Sequence, residues 1–194
     1  MEVNEKMMDN KGKGLLYPSQ SVTPIPNEES TWRPPPVGSL LASVDAGWDA
    51  FSKKAGLGAV VRDEKGGVVK SSWSHIQYCA SAEEAEARAC LEGLKHLIDI
   101  QRFPSTVETD CQRVVQAAYS LVPDRSASWS IYSEIQDLLR TNPMLGLKKI
   151  DRSSNQVAHG LAQLGKRESS GVLSESVPIG LSALIANDCK NCVL

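Results

Sequence analysis

Apolar residues in the first half of the chain form three short runs that predict β-strands. Residues 40–44 are apolar or small and lead directly to Asp45, and residues 56–62 form a second such run. Residues 68–76 form a third run in which polar and apolar positions alternate. The polar segment 63–67 between the last two runs ends in Gly-Gly, which is typical of a hairpin turn. We therefore predict an antiparallel meander at the start of the fold.

After residue 80 the apolar spacing becomes helical. Ser81 is a predicted N-cap, and Glu84 three residues later completes a capping-box pattern. Apolar side chains then recur at helical spacing at Cys90, Leu94, Leu97 and Ile98. Later patterns predict a strand over 106–109, helices over 112–121 and 129–139, a strand over 145–150 and a helix over 155–166. The order β-β-β-α-β-α-α-β-α predicts an α/β fold with a five-stranded mixed sheet flanked by helices.

Composition divides the chain into three parts. Residues 1–35 are rich in Ser, Pro, Asn and Gly and predict a flexible N-terminal segment. Residues 36–168 carry the strand and helix patterns and predict one domain. Residues 169–194 are weakly patterned and predict a C-terminal tail, with a short apolar helix over 179–186 as its expected element.

Bulk composition restricts the function classes. Hydrophobic residues make up 41% and charged residues 23% of the 194 residues, which is ordinary for a globular protein. There is no apolar run of about 18 residues and no secretory signal pattern, so we expect no membrane partner and an intracellular protein, nuclear or cytoplasmic and not secreted. The five cysteines fit a reducing compartment, and the Cys189-Lys-Asn-Cys192 pair lacks the second pair that a zinc site needs. The net charge of −2 gives no general attraction to nucleic acid, so any such binding depends on local patches. We expect a monomer.

Three carboxylates stand where secondary structure alone gives no reason for them. Asp45 and Asp110 each end a predicted strand, although aspartate is a poor strand former. Glu86 lies four residues before Cys90 and eight before Leu94, on the apolar stripe of its helix. Each acid taken singly could be a cap, a turn residue or a helix-dipole partner. Converging on one sheet edge, however, they would repel one another, and a divalent cation would relieve that repulsion. Oxygen ligands of this kind favour Mg²⁺ or Mn²⁺.

The last predicted helix and the segment before it supply further candidates. His159 lies one turn after Asn155, and a lone helical histidine is more often a surface or core residue than a ligand. Lys148, Lys149 and Arg152 cluster before this helix. We predict that these three residues, together with Asn155, contact nucleic acid. The alternative for the basic residues is a solvated charge run.

Five segments in order resemble the plant ribonuclease H-like domains that occur alone and at the ends of non-LTR retrotransposon reverse transcriptases. The resemblance spans roughly residues 32–166. Its segments are Trp32-Arg-Pro-Pro leading to Val44-Asp-Ala, then Ala55-Gly-Leu-Gly-Ala-Val-Val-Arg-Asp63, Ala85-Glu-Ala-Arg-Ala89 running to Gly93-Leu94, Glu108-Thr-Asp-Cys111 with Val114-Val115, and Arg152-Ser-Ser-Asn-Gln-Val-Ala-His-Gly-Leu-Ala162. The resemblance implies a ribonuclease H-like fold.

The resemblance also implies a mechanism, in which two Mg²⁺ ions activate water against a phosphodiester of the RNA strand in an RNA/DNA hybrid. Asp45 would bridge both metals, and Glu86 and Asp110 would hold one of them. The fourth carboxylate of the family falls at His159, a nitrogen ligand, and we include His159 in the predicted catalytic and metal set. The loop at residues 151–154 lacks the histidine that many relatives carry there, and Ala46 stands where Gly is usual.

Three functions are therefore open at the level of sequence. The first is an endonuclease that hydrolyses the RNA strand of RNA/DNA hybrids, with Mg²⁺ or Mn²⁺ in a two-metal site. The second is a catalytically weak or inactive nucleic-acid-binding module. The His159 change favours it, as does the equal number of acidic and basic side chains, sixteen of each, in residues 40–168. The third is a remnant of a mobile element.

Overall fold

A computed structural model describes residues 32–122, 126–167 and 169–189 of the chain. The predicted flexible segment at residues 1–31 lies outside the described residues. Strands β1–β6 form one mixed sheet in the order β5-β4-β1-β2-β3-β6. They span Leu40–Trp48 (β1), Ala55–Arg62 (β2), Val68–Ile76 (β3), Ser105–Thr109 (β4), Leu145–Lys149 (β5) and Gly171–Ser174 (β6).

The pairing of the strands confirms the predicted meander and the predicted mixed sheet. β1 pairs with β2 and β2 with β3 in antiparallel fashion, while β4 runs parallel to β1 and β5 parallel to β4. β2 is buried at all eight positions, because helices cover both faces of the sheet at its centre. The sheet thus has an outer antiparallel half and a parallel half, and the junction between the two lies at β1.

Five α-helices surround this sheet in the described part of the chain. They span Ala82–Ile100 (α1), Gln112–Ala118 (α2), Trp129–Thr141 (α3), Gln156–Lys166 (α4) and Ser182–Cys189 (α5). α1 and α3 pack together over one face of the sheet, and α4 packs across β1, β2 and β3. The predicted α1 cap is confirmed, since the Ser81 hydroxyl accepts the Glu84 N–H at 3.1 Å. No described helix has the length and apolar character needed to span a bilayer.

The C-terminal region differs from the predicted tail. β6 pairs antiparallel with β3, so the sheet has six strands rather than five. After β6, Leu181, Leu184 and Ile185 pack against a buried cluster formed by Val60 of β2 with Val157 and Leu161 of α4. Residues 171–189 therefore belong to the folded unit. The sequence signal was weak because β6 is only four residues long and alternates between partly buried and exposed positions.

The chain before β1 is also anchored to the sheet. Trp32 is 2% exposed, and the guanidinium carbon of Arg62 lies 3.3 Å from the centre of its ring. Arg62 donates to Asp188 of α5 at 2.7 Å. The two ends of the described chain thus meet on one buried arginine.

Glycines set the distance between α4 and the sheet. A Cβ on Gly58 would lie 2.3 Å from the carbonyl oxygen of Ala158, and a Cβ on Gly56 would lie 2.1 Å from the backbone nitrogen of Lys166. Only glycine allows backbone to approach backbone this closely. The contact brings α4, and His159 with it, down to the end of β1.

Candidate metal centre

Three elements bring Asp45, Glu86 and Asp110 to one edge of the sheet. β1 carries Asp45, and Asp110 directly follows β4, the parallel neighbour of β1. The carboxyl ends of parallel neighbouring strands meet at the same edge, which is where α/β sheets bind ligands. α1 begins at this edge and carries Glu86 as its fifth residue. One carboxylate oxygen from each acid lies within 4.8 Å of the others.

Burial makes this cluster unfavourable when all three acids are charged. Burial raises the pKa of Asp45, the hydrogen bond from His159 opposes the rise, and the charge of Asp110 adds to it. Burial, followed by the charges of Asp45 and Asp110, raises the pKa of Glu86 to about 8. Glu86 Oε2 is buried and has no hydrogen-bond partner among the residues that the structure describes. The set therefore offers hard oxygen donors with unsatisfied charge, which fits a divalent cation such as Mg²⁺ or Mn²⁺.

His159 lies beside this cluster. Its Nδ1 is 2.7 Å from Asp45 Oδ2, a hydrogen bond in which the ring N–H donates to the carboxylate. The His159 side chain is 36% exposed, whereas that of Asp45 is 7% exposed. The ring therefore orients Asp45 from the solvent side. His159 is not a member of the group of side chains whose ligand atoms lie within 4.8 Å of one another, so the structure places it against Asp45 rather than among the three acids.

Asn155 has a different role from the predicted contact with nucleic acid. It is 2% exposed, and its amide nitrogen donates to the carbonyl oxygen of Val44 at 2.8 Å. A residue this deeply buried cannot reach a nucleic acid on the surface, so that prediction is not supported. Asn155 instead fastens the start of α4 to β1, one residue before Asp45.

The basic candidates line the neighbouring end of β5. Lys148 makes an ion pair of 2.9 Å with buried Glu108, so its charge is already engaged, although its side chain is 56% exposed. Lys149 lies opposite Thr109 in the sheet register, directly beside the strand end that leads to Asp110. Arg152 is exposed, and its charge lowers the pKa of Glu86, which places it near the acidic cluster. The Lys149 ammonium also has an acidic partner, Asp151 Oδ1 at 4.0 Å, but this pair is longer than that of Lys148 and both of its side chains are exposed. Lys149 and Arg152 are therefore the better placed of the predicted phosphate contacts.

Sequence reasoning missed the backbone and packing groups that support the site. The Ala46 N–H forms a hydrogen bond that lowers the pKa of Asp45 and of Glu86. Gly56 and Gly58 admit α4, and Asn155 anchors it. The alternating glycines in the second strand were the available signal, because glycine inside a strand often marks a close backbone approach.

Residues 43–165 match the family model described as reverse transcriptase-like. This match covers more than half of the chain. The chain belongs to the reverse transcriptase-like family. No curated protein matches it.

Solved ribonuclease H structures resemble this family member in fold. The ribonuclease H1 of the archaeon Halobacterium salinarum is 19% identical, with a TM-score of 0.61 over 68% of this chain and 100% of the other. An N-terminal ribonuclease H domain from Mycobacterium tuberculosis is 22% identical, with a TM-score of 0.61 over 67% and 94%. LC11 ribonuclease H1, solved in complex with an RNA/DNA hybrid, is 20% identical, with a TM-score of 0.60 over 66% and 97%. At these identities the likeness establishes the ribonuclease H fold for this chain.

Proposed function

We propose that this reverse transcriptase-like domain is a metal-dependent endonuclease that hydrolyses the RNA strand of RNA/DNA hybrids. The observation that carries the proposal is the convergence of Asp45, Glu86 and Asp110, with oxygens within 4.8 Å of one another. One Glu86 oxygen is buried and finds no hydrogen-bond partner among the described residues. Structural reasons alone do not account for such a cluster, because each acid raises the cost of charging the others. The hybrid-bound LC11 structure of the same fold supports the choice of substrate.

Each residue of the site has a proposed role. Asp45, Glu86 and Asp110 hold Mg²⁺ or Mn²⁺, and His159 orients Asp45 and completes the metal set. Lys149 and Arg152 contact the phosphates that flank the cleaved bond. When bound, the cations supply Lewis-acid chemistry that activates water and offsets charge on the phosphodiester.

A cleavage assay on a labelled RNA/DNA hybrid tests the proposal. The wild-type chain, assayed with Mg²⁺, with Mn²⁺ and with a chelator, should cut the RNA strand only when a metal is present. Asp110→Asn keeps the shape of the side chain but removes its charge. It should lower the rate by at least about 100-fold, which corresponds to about 2.7 kcal/mol in the barrier. The matched control is Asp99→Asn, an exposed acid near the far end of α1, which should cleave like the wild type.

The fold of Asp110→Asn is checked by its thermal midpoint, which should equal or exceed that of the wild type because one repelling carboxylate is gone. Unchanged cleavage by this variant, with contaminating nuclease excluded, would remove Asp110 from the site. Metal-independent cleavage by the wild type would refute the proposal as a whole.

A second candidate function is a catalytically weak or inactive nucleic-acid-binding module. The observation that favours it is the 2.7 Å contact between His159 Nδ1 and Asp45 Oδ2, at the position where the resemblance implies a carboxylate. This module would bind the hybrid with an affinity that Lys149 and Arg152 control, but would not cut it in either metal. Binding measured by fluorescence anisotropy beside the cleavage assay separates the two functions.

The resemblance also leads to a proposal about the origin of the domain, its oligomeric state and its cellular compartment. We propose that the domain derives from a plant non-LTR retrotransposon and acts as a monomer in the nucleus or cytoplasm. The motif segments quoted above support the origin. Sedimentation at micromolar concentration and imaging of a tagged chain test the oligomeric state and the compartment, respectively.

A further inference from the structure

Two exposed aromatic side chains lie on loops at the same edge of the sheet as the candidate metal centre. Phe51 is 100% exposed and Tyr78 is 67% exposed. β1 continues three residues past Asp45 to Trp48, about 10 Å at the usual strand rise, and the loop with Phe51 follows. Tyr78 lies in the loop that joins β3 to α1. Both loops leave the sheet at one place, because Ala55 pairs with Trp48 on one side and with Ile76 on the other.

Hydrogen bonds hold the two loops to each other. The Cys79 N–H donates to the Lys53 carbonyl at 2.7 Å, and Trp48 Nε1 donates to the Cys79 carbonyl at 2.9 Å. Within the first loop, Asp49 Oδ1 accepts the N–H groups of Phe51 and Ser52 at 2.9 and 2.8 Å. The aromatic side chains are therefore displayed from ordered backbone, so little entropy is lost when a ligand packs on them.

The charges around these loops favour an anionic ligand. Lys53 and Lys54 belong to the first loop, and the Lys53 ammonium lies 4.9 Å from the centre of the Trp48 ring. The Lys166 side chain lies against the same strand end, with its Cδ 3.6 Å from where a Cβ on Gly47 would be. Asp49, the acid of the loop, stays ionised because hydrogen bonds from Ser52 and Phe51 lower its pKa. Three lysines against one aspartate still leave this surface with an excess of positive charge.

We propose that Phe51 and Tyr78 form a stacking platform for single-stranded nucleic acid that continues from the hybrid held at the candidate metal centre. Bases stack on the aromatic rings while Lys53, Lys54 and Lys166 follow the phosphates, which is the combination that sequence-independent single-strand binding uses. The position of this platform relative to a bound hybrid rests on the proposed function. The platform adds a binding preference for hybrids that end in an unpaired strand.

Affinity measurements with defined oligonucleotides test the platform in the full chain. Fluorescence anisotropy compares a blunt RNA/DNA hybrid, the same hybrid with an RNA overhang, the same hybrid with a DNA overhang, and the overhang strand alone. The wild type should bind the hybrids with overhangs more tightly than the blunt hybrid. Phe51→Ala should reduce this ratio of affinities by at least about fivefold, the lower end of the usual loss per stacked base.

Two substitutions separate stacking from simple burial. Phe51→Trp keeps an aromatic face and should preserve the ratio, whereas Phe51→Leu keeps apolar area without that face and should lose it. The matched control is Val37→Ala, which removes a 91% exposed apolar side chain before β1, at the opposite edge of the sheet, and should leave the ratio unchanged. Phe51→Ala should lower the affinity more for one overhang than for the other. Comparing the loss for the RNA overhang with the loss for the DNA overhang shows which strand the platform binds.

The outcomes of these measurements test the platform and the proposed function separately. A ratio that Phe51→Ala leaves unchanged, or one that Phe51→Leu preserves as well as Phe51→Trp, would overturn the platform. If the wild type failed to cut the blunt hybrid while Phe51→Ala still weakened binding of the single strand alone, the proposed function would fail and the platform would stand. If cleavage followed the proposal but the overhangs gained no affinity, the platform would fail alone.

Discussion

Glu86 shows at the scale of one residue how a candidate metal ligand affects the stability of its own fold. Its carboxylate lies on the side of α1 that faces the sheet edge, close to two other acids, and one of its oxygens has no hydrogen-bond partner in the described part of the chain. The raised pKa of about 8 means that the folded protein holds a proton that the unfolded chain has already released at neutral pH. Folding and ionisation of this residue therefore oppose each other.

This opposition predicts a pH dependence of stability in the absence of metal. Below about pH 4.5 the carboxyl group is protonated in both the folded and the unfolded chain, so it contributes no pH dependence. From about pH 4.5 to 8 the unfolded chain ionises first, so the free energy of unfolding should fall as the pH rises, by about 2 to 4 kcal/mol for this group. Glu86→Gln should flatten the curve, as measured by denaturant unfolding in a chelator. Glu134→Gln, at an exposed ion pair with Lys95, is the control and should keep the slope of the wild type. A wild-type curve without a slope in this window would contradict the burial of Glu86.

The imidazole of His159 leads, at the same scale, to a prediction of which metal ion the site prefers. Imidazole nitrogen is a poorer ligand for Mg²⁺ than for Mn²⁺, because Mg²⁺ favours oxygen. We therefore expect cleavage to be faster in Mn²⁺ than in Mg²⁺. His159→Asp supplies an oxygen ligand and should raise the rate in Mg²⁺, whereas His159→Ala removes the partner of Asp45 and should lower the rate in Mn²⁺ by about tenfold or more. Equal rates for the three proteins in both metals would show that the ring has no part in the reaction.

At the scale of elements, the contact between α4 and the sheet positions one side of the site. The helix lies on the bare backbone of Gly56 and Gly58, and Asn155 fastens its first turn to Val44. No side chain separates the helix from the strands at this point. The distance from His159 to Asp45 therefore depends on the absence of two Cβ atoms.

Gly58→Ala tests this dependence. The new Cβ would overlap the backbone of Ala158 and Ala162, at 2.3 and 2.4 Å, so α4 must move outward. We expect unfolding to become easier by about 2 to 3 kcal/mol, as for other overpacked core sites, together with a loss of cleavage. The control is Gly180→Ala, where a Cβ would meet no atom of the described residues within 4 Å and stability should change little. Wild-type stability and cleavage in Gly58→Ala would mean that the helix can shift without cost.

At the scale of the whole molecule, both ends of the described chain extend beyond the family match at residues 43–165. Trp32 precedes the match and Asp188 follows it, and both contact the buried guanidinium of Arg62. Burial lowers the pKa of Arg62, while the hydrogen bond and charge of Asp188 oppose that change. The arginine thus couples the segment before β1 to the segment after α4.

Asp188→Asn tests the coupling. It leaves a buried positive charge without its negative partner, and breaking a buried pair in this way costs about 3 kcal/mol or more. We expect a lower thermal midpoint, and release of α5 should appear as faster amide exchange in residues 182–189. Asp137→Asn breaks the exposed pair with Arg140 and should change stability by less than about 1 kcal/mol. Equal effects of the two substitutions would show that the ion pair between Arg62 and Asp188 stabilises the fold no more than an exposed ion pair does.

Local pattern was enough to predict most of the fold. The capping box at Ser81, the helical stripe of α1 and the Gly-Gly turn before β3 are short-range features, and the structure confirms the elements they predict. The parallel pairing of β1 with β4 follows from the crossover helix between them, which local spacing also indicates. β6 escaped prediction because its four residues are stabilised by pairing with β3 rather than by their own pattern.

The candidate metal centre likewise has features that the sequence predicts and features that only the tertiary structure shows. The sequence by itself determined that Asp45, Glu86 and Asp110 lie at one sheet edge, because the order of elements brings β1, the end of β4 and the start of α1 together there. The prediction that Asp45 ends its strand was wrong, since pairing with β2 extends β1 to Trp48. Only the tertiary structure decided that His159 hydrogen-bonds to Asp45, that Asn155 is a buried anchor, and that Arg62 joins the two ends of the described chain. The three hydrogen bonds, from His159 to Asp45, from Asn155 to Val44 and from Arg62 to Asp188, each join residues more than 100 positions apart. Their geometry depends on how closely α4 and α5 pack on the sheet. Residue type and spacing do not predict that packing distance, because it depends on the side chains and the glycines of several elements at once.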